Sequence, residues 1–314
     1  MPLLRVAILG IVGTLFLPAT QARATDAELV AVDATEFAKI FAEDAVVTTL
    51  ARELGFSEGP VWTGGDDGFL VFSDIPRDRL MRWDAKNGVS VFREPSRKAN
   101  GNTLDRQGRL LTCEHGGRRV SLTRRDGSVI EIVSRFEGRK LNSPNDAVVR
   151  SDGTIWFTDP DYGLAGRERE QPTNNVYRFD PLTDELAAVA TDFVKPNGLC
   201  LSPDERYLYV ADSGKPRHIR RFAIREDRTL DAGTVFVALD KGGPDGIRCD
   251  EDGRVWSSSG DGAQVFLPDG RLVARIRLPK AGANLCFGGP DGRTVFLTAR
   301  DGLYAVSTRV RGAR

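Results

Sequence analysis

Six oxygen-bearing side chains recur at matched places along this 314-residue chain: Glu58, Asn100, Asn145, Asn197, Asp245 and Asn284. Counted back from the turn residues Gly108, Gly153, Glu205, Gly253 and Gly292, the last five each stand eight positions upstream. Glu58 stands ten before Gly68, whose turn, "TGGDDG", is longer. Two of the six bring negative charge and four bring neutral amide oxygens. Carboxylates gathered away from water are costly unless a cation neutralises them. An all-oxygen set without imidazole or thiolate suits a hard divalent ion, Ca²⁺ first and Mg²⁺ or Mn²⁺ behind it, with Zn²⁺ a poorer match. With four protein ligands such an ion keeps positions open for water and substrate, which marks it as catalytic rather than purely structural.

These positions converge only if the elements carrying them are radially equivalent. After each anchor comes a strand-like run: "FLVFS" to Asp74, "RLLTC" to Glu114, "TIWFT" to Asp159, "RVWSS" to Ser259 and "RTVFL" to Thr298. "SPDERYLYVAD" is the variant unit, with Glu205 at the anchor and Asp212 at its end. Six units at an irregular period of roughly 40 to 50 residues predict an all-β, six-bladed β-propeller, with the innermost strand of each blade lining a central channel. A plainer account makes Asn100-Gly101, Asn197-Gly198 and Asp245-Gly246 turn pairs between blades. Glu58-Gly59, Asn145-Asp146 and Asn284-Leu285 fit that account poorly. The last unit supplies one strand too few, so Val46–Arg52 is expected to complete the C-terminal blade and remove two sheet edges. Ahead of it, "DATEF" offers an N-cap, and the spacing predicts a short helix from Thr35 to Ala42, packed by Phe37 and Phe41.

Lys+Arg (44) balances Asp+Glu (44), so no global field favours nucleic acid or a lipid surface. Residues 1–24 read as a signal peptide, with Arg5 as the positive n-region, Val6 to Leu17 as the apolar run and Ala22-Arg23-Ala24 as the cleavage site. The expectation is an exported, periplasmic protein, with an N-terminal extension over 25–45 and the propeller over 46–314. Its partner would be a small molecule and its state a monomer or weak dimer. Cys113, Cys200, Cys249 and Cys286 are dispersed within apolar runs and read as small buried hydrophobes rather than a disulfide framework.

"FSEGPVW" (56–62), "SPNDAVV" (143–149), "KPNGLCLSPD" (195–204) and "PDGIRCDEDGRVW" (244–256) resemble the signature segments of the senescence-marker-protein/gluconolactonase family. The resemblance runs from Arg52 to about Ser307 and implies a six-bladed propeller with one axial divalent ion, hydrolysing sugar lactones or related esters. It implies Glu58, Asn145, Asn197 and Asp245 as metal ligands; some members lack the counterpart of Asn145. Asn100 matches the family's substrate-contacting asparagine, and Lys98 stands where some members carry arginine. "LLTCEHGGRRV" is closer to bacterial gluconolactonases than to the animal branch.

Each hairpin returns its second strand to the ring's end of the blade. Glu114 and His115 are therefore candidate contacts for sugar hydroxyls, while Asp159 and Asp212 are either mouth residues or caps for local N–H groups. Asp245 is placed to take a proton from attacking water, or to attack as a nucleophile. Three other readings compete. "GFSEG" (55–59) matches a nucleophile elbow with Ser57 and a distant His218, but the motif needs a strand–turn–helix that this sequence does not offer. The same ion could serve an aryl-ester or phosphotriester hydrolase. A propeller can also be a non-enzymatic binding module.

Overall fold

The computed structural model describes residues 27–64 and 67–313; the signal-peptide reading of residues 1–24 lies outside them. The repeated units fold as six antiparallel sheets, the blades of a β-propeller. From the axis outward, blade 1 is Ser57–Trp62, Leu70–Asp74, Arg79–Asp84 and Gly88–Arg93. Blade 2 is Ala99–Leu104, Leu110–Glu114, Arg119–Thr123 and Val129–Val133. Blade 3 is Ala147–Val149, Ile155–Asp159, Asn174–Asp180 and Glu185–Phe193, and blade 4 is Pro196–Leu201, Tyr207–Asp212, His218–Ala223 and Thr234–Ala238. Blade 5 begins with Ile247–Cys249, Val255–Ser259, Gly262–Phe266 and Leu272–Arg277; blade 6 with Asn284–Gly288, Thr294–Ala299 and Gly302–Ser307.

The anchor residues earn their place through backbone geometry. Gly108, Gly153, Gly253 and Gly292 have φ between +72° and +87°, the left-handed region where a side chain is penalised. Glu205, the non-glycine anchor, adopts the same region at φ +53°. Its carboxylate accepts from Ser151 N at 2.8 Å and also from the Ser151 hydroxyl, tying the turn to blade 3.

Chain closure follows the expected route. Thr48–Ala51 pairs with Gly302–Ser307, placing Thr48 opposite Ala305 and Thr49 opposite Tyr304, so an N-terminal strand completes blade 6. The helix spans Ala34–Ile40, within a residue or two of the expected bounds, and Asp33 caps it by accepting from Thr35 N and Glu36 N. A further strand, Glu28–Ala31, has no counterpart in the sequence reading. It pairs with Leu272–Arg277 as a fifth strand of blade 5.

The core lies between neighbouring blades, where strand faces from adjacent sheets meet. One cluster joins blades 5 and 6 to the helix through Trp256, Val265, Ile276, Leu285, Ile40 and Phe41. The Phe41 ring lies 5.9 Å from Trp256, which in turn lies 5.2 Å from Phe287. All four cysteines are buried as free thiols; Cys200 and Cys249 approach to 3.4 Å between sulfurs.

Phe41 is 1 % exposed, so the helix is a keystone rather than a loose tail. Phe41→Ala should cost about 3–5 kcal/mol through lost burial and the cavity left behind. Denaturant unfolding checks this, and a loss under about 1 kcal/mol would mean the segment packs only loosely.

Candidate active site on the propeller axis

The ring begins in the backbone. Gly101 N donates to Asn145 O at 2.7 Å, Gly198 N to Asp245 O at 3.0 Å and Gly246 N to Ala283 O at 2.8 Å, each linking one blade to the next. These contacts leave no room for side chains. A Cβ on Gly101 would lie 2.4 Å from Asn145 O, and one on Gly198 would lie 2.4 Å from Asp245 O. The glycines after Asn100, Asn197 and Asp245 therefore answer to blade-to-blade packing, not to inter-blade turns; the plainer reading of those pairs fails. Hydroxyls on the second strands add to the ring. Ser73 Oγ donates to Asn100 O at 2.6 Å, Thr158 Oγ to Asn197 O at 2.7 Å and Ser258 Oγ to Ala283 O at 2.8 Å.

Three strand-end acids then fix the chain just ahead of a ring residue. Asp74 accepts from Gly55 N at 3.0 Å and Phe56 N at 3.2 Å, ahead of Glu58. Asp159 accepts from Asn142 N at 2.8 Å, ahead of Asn145. Asp212 accepts from Val194 N and Lys195 N, both at 2.9 Å, ahead of Asn197. All three carboxylates are buried. For Asp159 and Asp212 the capping role is the one realised.

Glu58, Asn145 and Asn197 are buried at 3 %, 4 % and 5 % exposure, while Asp245 is partly exposed. Burial pushes the Glu58 carboxyl up from its ordinary 4.5 to about 7, with the nearby Asp146 charge adding to the rise. Asp245 is pushed well above the usual carboxylate range by burial, then by the charges of Glu58 and Asp146, against a hydrogen bond from Asn197. The Asn197 Oδ1 atom is buried and has no partner among the described residues. Repelling carboxylates beside an unused amide oxygen are a donor set that fits a hard cation. No cluster of three or more His, Cys, Asp and Glu side chains suited to a metal occurs among the described residues, so a cation here would draw on amide oxygens too.

One step along the strands lies a layer that sequence reasoning missed. Asp146, fully buried, accepts from Arg248 at 3.1 Å and from Asn284 Nδ2 at 3.3 Å. Asn284 Nδ2 also donates to Glu58 Oε2 at 3.1 Å, while its Oδ1 accepts from Leu285 N at 2.8 Å. Asn284 thus turns its donor end toward the ring and orients Glu58. The only sequence hint of Asp146 was a second polar residue where a strand enters the core.

At the mouth, Asn100 and His115 meet. Asn100 Nδ2 lies 3.0 Å from His115 Nε2, and Asn100 Oδ1 is left buried without a partner. Burial, with Arg167 nearby, lowers the His115 imidazole to about 4, so it is neutral and accepts from Asn100 at neutral pH. Residues 160–171 roof this corner, with Arg167 donating to His115 O and Gly116 O, both at 2.8 Å. Tyr162 stands near Ser213, Asn197 and Asp245, with the Lys195 ammonium 5.3 Å from its ring centroid. Lys98 is exposed, its ammonium donating to Pro76 O at 3.0 Å. Glu114 is 1 % exposed, and its oxygens are engaged by Arg119 at 2.7 Å and Ser121 at 2.6 Å. Ser57 is fully buried in a strand and donates to Arg300 O and Gly302 O, both at 2.9 Å. It sits on no nucleophile elbow.

A family model described as "SMP-30/Gluconolactonase/LRE-like region" matches residues 56–301. The chain is 31 % identical over 297 residues to a gluconolactonase of Zymomonas mobilis, covering 85 % of this chain and 82 % of that one. Among solved structures, a gluconolactonase of Xanthomonas campestris superposes with TM-score 0.86 at 35 % identity, covering 93 % of this chain and 99 % of the other. The calcium-binding protein regucalcin of Agrobacterium tumefaciens shares the fold with TM-score 0.68 at 22 % identity, over 84 % of this chain and 94 % of its own.

The raised carboxyl at Glu58 carries a pH signature for the metal-free protein. An acid whose folded pKa lies above its unfolded value contributes stability at low pH that is lost as pH rises, here from 4.5 toward about 7. In chelator, the melting temperature should fall between about pH 5 and about pH 8, and Glu58→Gln should shrink that fall. Asp159, raised from 3.8 to about 7 by burial, leaves a remainder. An unchanged fall in Glu58→Gln would remove Glu58 from the buried cluster.

Proposed function

Because this chain belongs to the SMP-30/gluconolactonase/LRE-like family, we propose that it hydrolyses the ester bond of a sugar lactone at the ring on its axis. The observation that carries this reading is the convergence of Glu58 and Asp245, each raised by burial and charge repulsion, beside the unpartnered Oδ1 of Asn197. Glu58, Asn145, Asn197 and Asp245 would hold one divalent cation, Ca²⁺ by the hardness of the donors, with Asn145 contributing through its buried place in the ring. When bound, the ion supplies charge that polarises the lactone carbonyl and stabilises the developing oxyanion.

The chain's own residues do the rest. Asp245, partly exposed at the mouth, accepts a proton from the attacking water. The water oxygen bonds to the carbonyl carbon, the ring C–O bond breaks, and the proton passes to the departing alkoxide to give a hydroxy acid. Asn100 presents its buried Oδ1 to a sugar hydroxyl, held in that orientation by the neutral His115. Asn284 and Asp146 stand behind the ring and set the rotamer of Glu58. Lys98, exposed with its ammonium on Pro76 O, would have to leave that carbonyl to become an outer contact for substrate.

A three-variant series tests the assignment. Asp245→Asn keeps an oxygen for the cation but loses basicity, so kcat should fall about 10²–10⁴-fold while the ion still binds. Glu58→Gln should weaken metal affinity, with part of the activity recovered at high metal concentration. Asn284→Ala should lose less metal affinity than Glu58→Gln, because its amide approaches the ring with N–H. Wild-type turnover in Asp245→Asn, measured on gluconolactone, would overturn the proposed base.

A further inference from the structure

Across the mouth from Asn100 stands a cation that the reaction described above does not use. Arg300 occupies the turn joining Thr294–Ala299 to Gly302–Ser307, in the left-handed region at φ +53°. Its carbonyl accepts from Ser57 N at 2.6 Å and from Ser57 Oγ at 2.9 Å, so the turn is fastened one residue from Glu58. The guanidinium carbon lies 5.1 Å from the centroid of the Phe56 ring. Together Phe56, Ser213, Asp245, Ser259 and Arg300 line a cleft of about 190 Å³ that opens beside the Asp245 carboxylate.

The guanidinium makes no hydrogen bond or ion pair among the described residues, and its neighbour Asp301 is engaged by Lys280 at 2.7 Å. Its electrostatic influence falls on Asp245, which it lowers against the larger effect of burial. Most exposed arginines are solvated and mobile. This one has a fixed turn, an aromatic seat and a place in the cleft that holds the proposed base. A planar guanidinium so held binds carboxylate, sulfonate or phosphate oxygens in pairs.

We propose that Arg300 forms an anion-recognising subsite beside Asp245, taking either an anionic substituent of the lactone or the carboxylate that ring opening creates. The proposal rests on the lactonase reading for its substrate, but not for its geometry.

The test uses the Ca²⁺-loaded protein and its Arg300→Gln and Arg300→Lys variants. Three quantities are measured: kcat/KM for glucarolactone relative to gluconolactone, inhibition by gluconate, and calorimetric binding of glucarate. A subsite for a substituent predicts that Arg300→Gln lowers the glucarolactone preference about tenfold; a subsite for the nascent carboxylate predicts that it raises the gluconate Ki about tenfold. Either change supports the proposal, with Arg300→Lys recovering part of it and glucarate binding falling in step. Preference, Ki and glucarate binding all within about twofold of wild type, in an Arg300→Gln protein with an unshifted melting temperature, overturn it. Glucarate binding needs no turnover, so a wild-type protein that hydrolyses no lactone but binds glucarate through Arg300 refutes the lactonase reading and leaves the subsite standing.

Discussion

Everything in this molecule is arranged around carboxylates that dislike one another. Glu58, Asp146 and Asp245 converge where the innermost strands meet, and burial together with neighbouring charge favours the neutral forms of Glu58 and Asp245. Among the described residues, only Asp146 has a full counter-charge, from Arg248. For the other two, the described residues supply amide groups and no cation within hydrogen-bonding distance. In the proposed function a divalent ion would complete such a cluster, and ion affinity and the buried electrostatics would then be two views of one quantity.

Holding repelling groups together needs a stiff frame, and the frame is repeated from blade to blade. Each of Asp74, Asp159 and Asp212 closes the far end of a hairpin and grips the N–H groups entering the innermost strand of the same blade. Glycines at the next position let neighbouring backbones touch, and strand hydroxyls reach to the following blade. The ring is thus fixed by backbone contacts, which leaves side chains at the mouth to set substrate preference. One wall, Asn100 and His115, is neutral and polar; another carries Asp245 and the Arg300 guanidinium.

The blades were legible in the sequence because ring residue and turn bracket the innermost strand of each unit, so that a fixed offset of eight survives in five of the six. Closure was legible by counting strands, and the helix by its cap and aromatic spacing. Other features depend on partners far along the chain. Asp146 acquires its role from Arg248, 102 residues away. Glu114 looked like a mouth residue by offset, and only the placement of Arg119 and Ser121 shows its oxygens engaged. The strand Glu28–Ala31 is half-buried and lacks alternation, so nothing local marks it as an edge added to blade 5. Arg300 in its left-handed turn reads as an ordinary loop residue until Phe56 and Asp245 come to stand beside it.

The central claim is that buried, partly protonated carboxylates on the axis are what a cation meets. Calorimetric titration of chelator-stripped protein with Ca²⁺, near pH 6 in buffers of different ionisation enthalpy, measures it directly through the protons released on binding. The account predicts proton release on binding that declines as pH rises through about 7 and is reduced in Glu58→Gln. Ca²⁺ binding that releases no protons near pH 6, or releases them equally in Glu58→Gln, would contradict it.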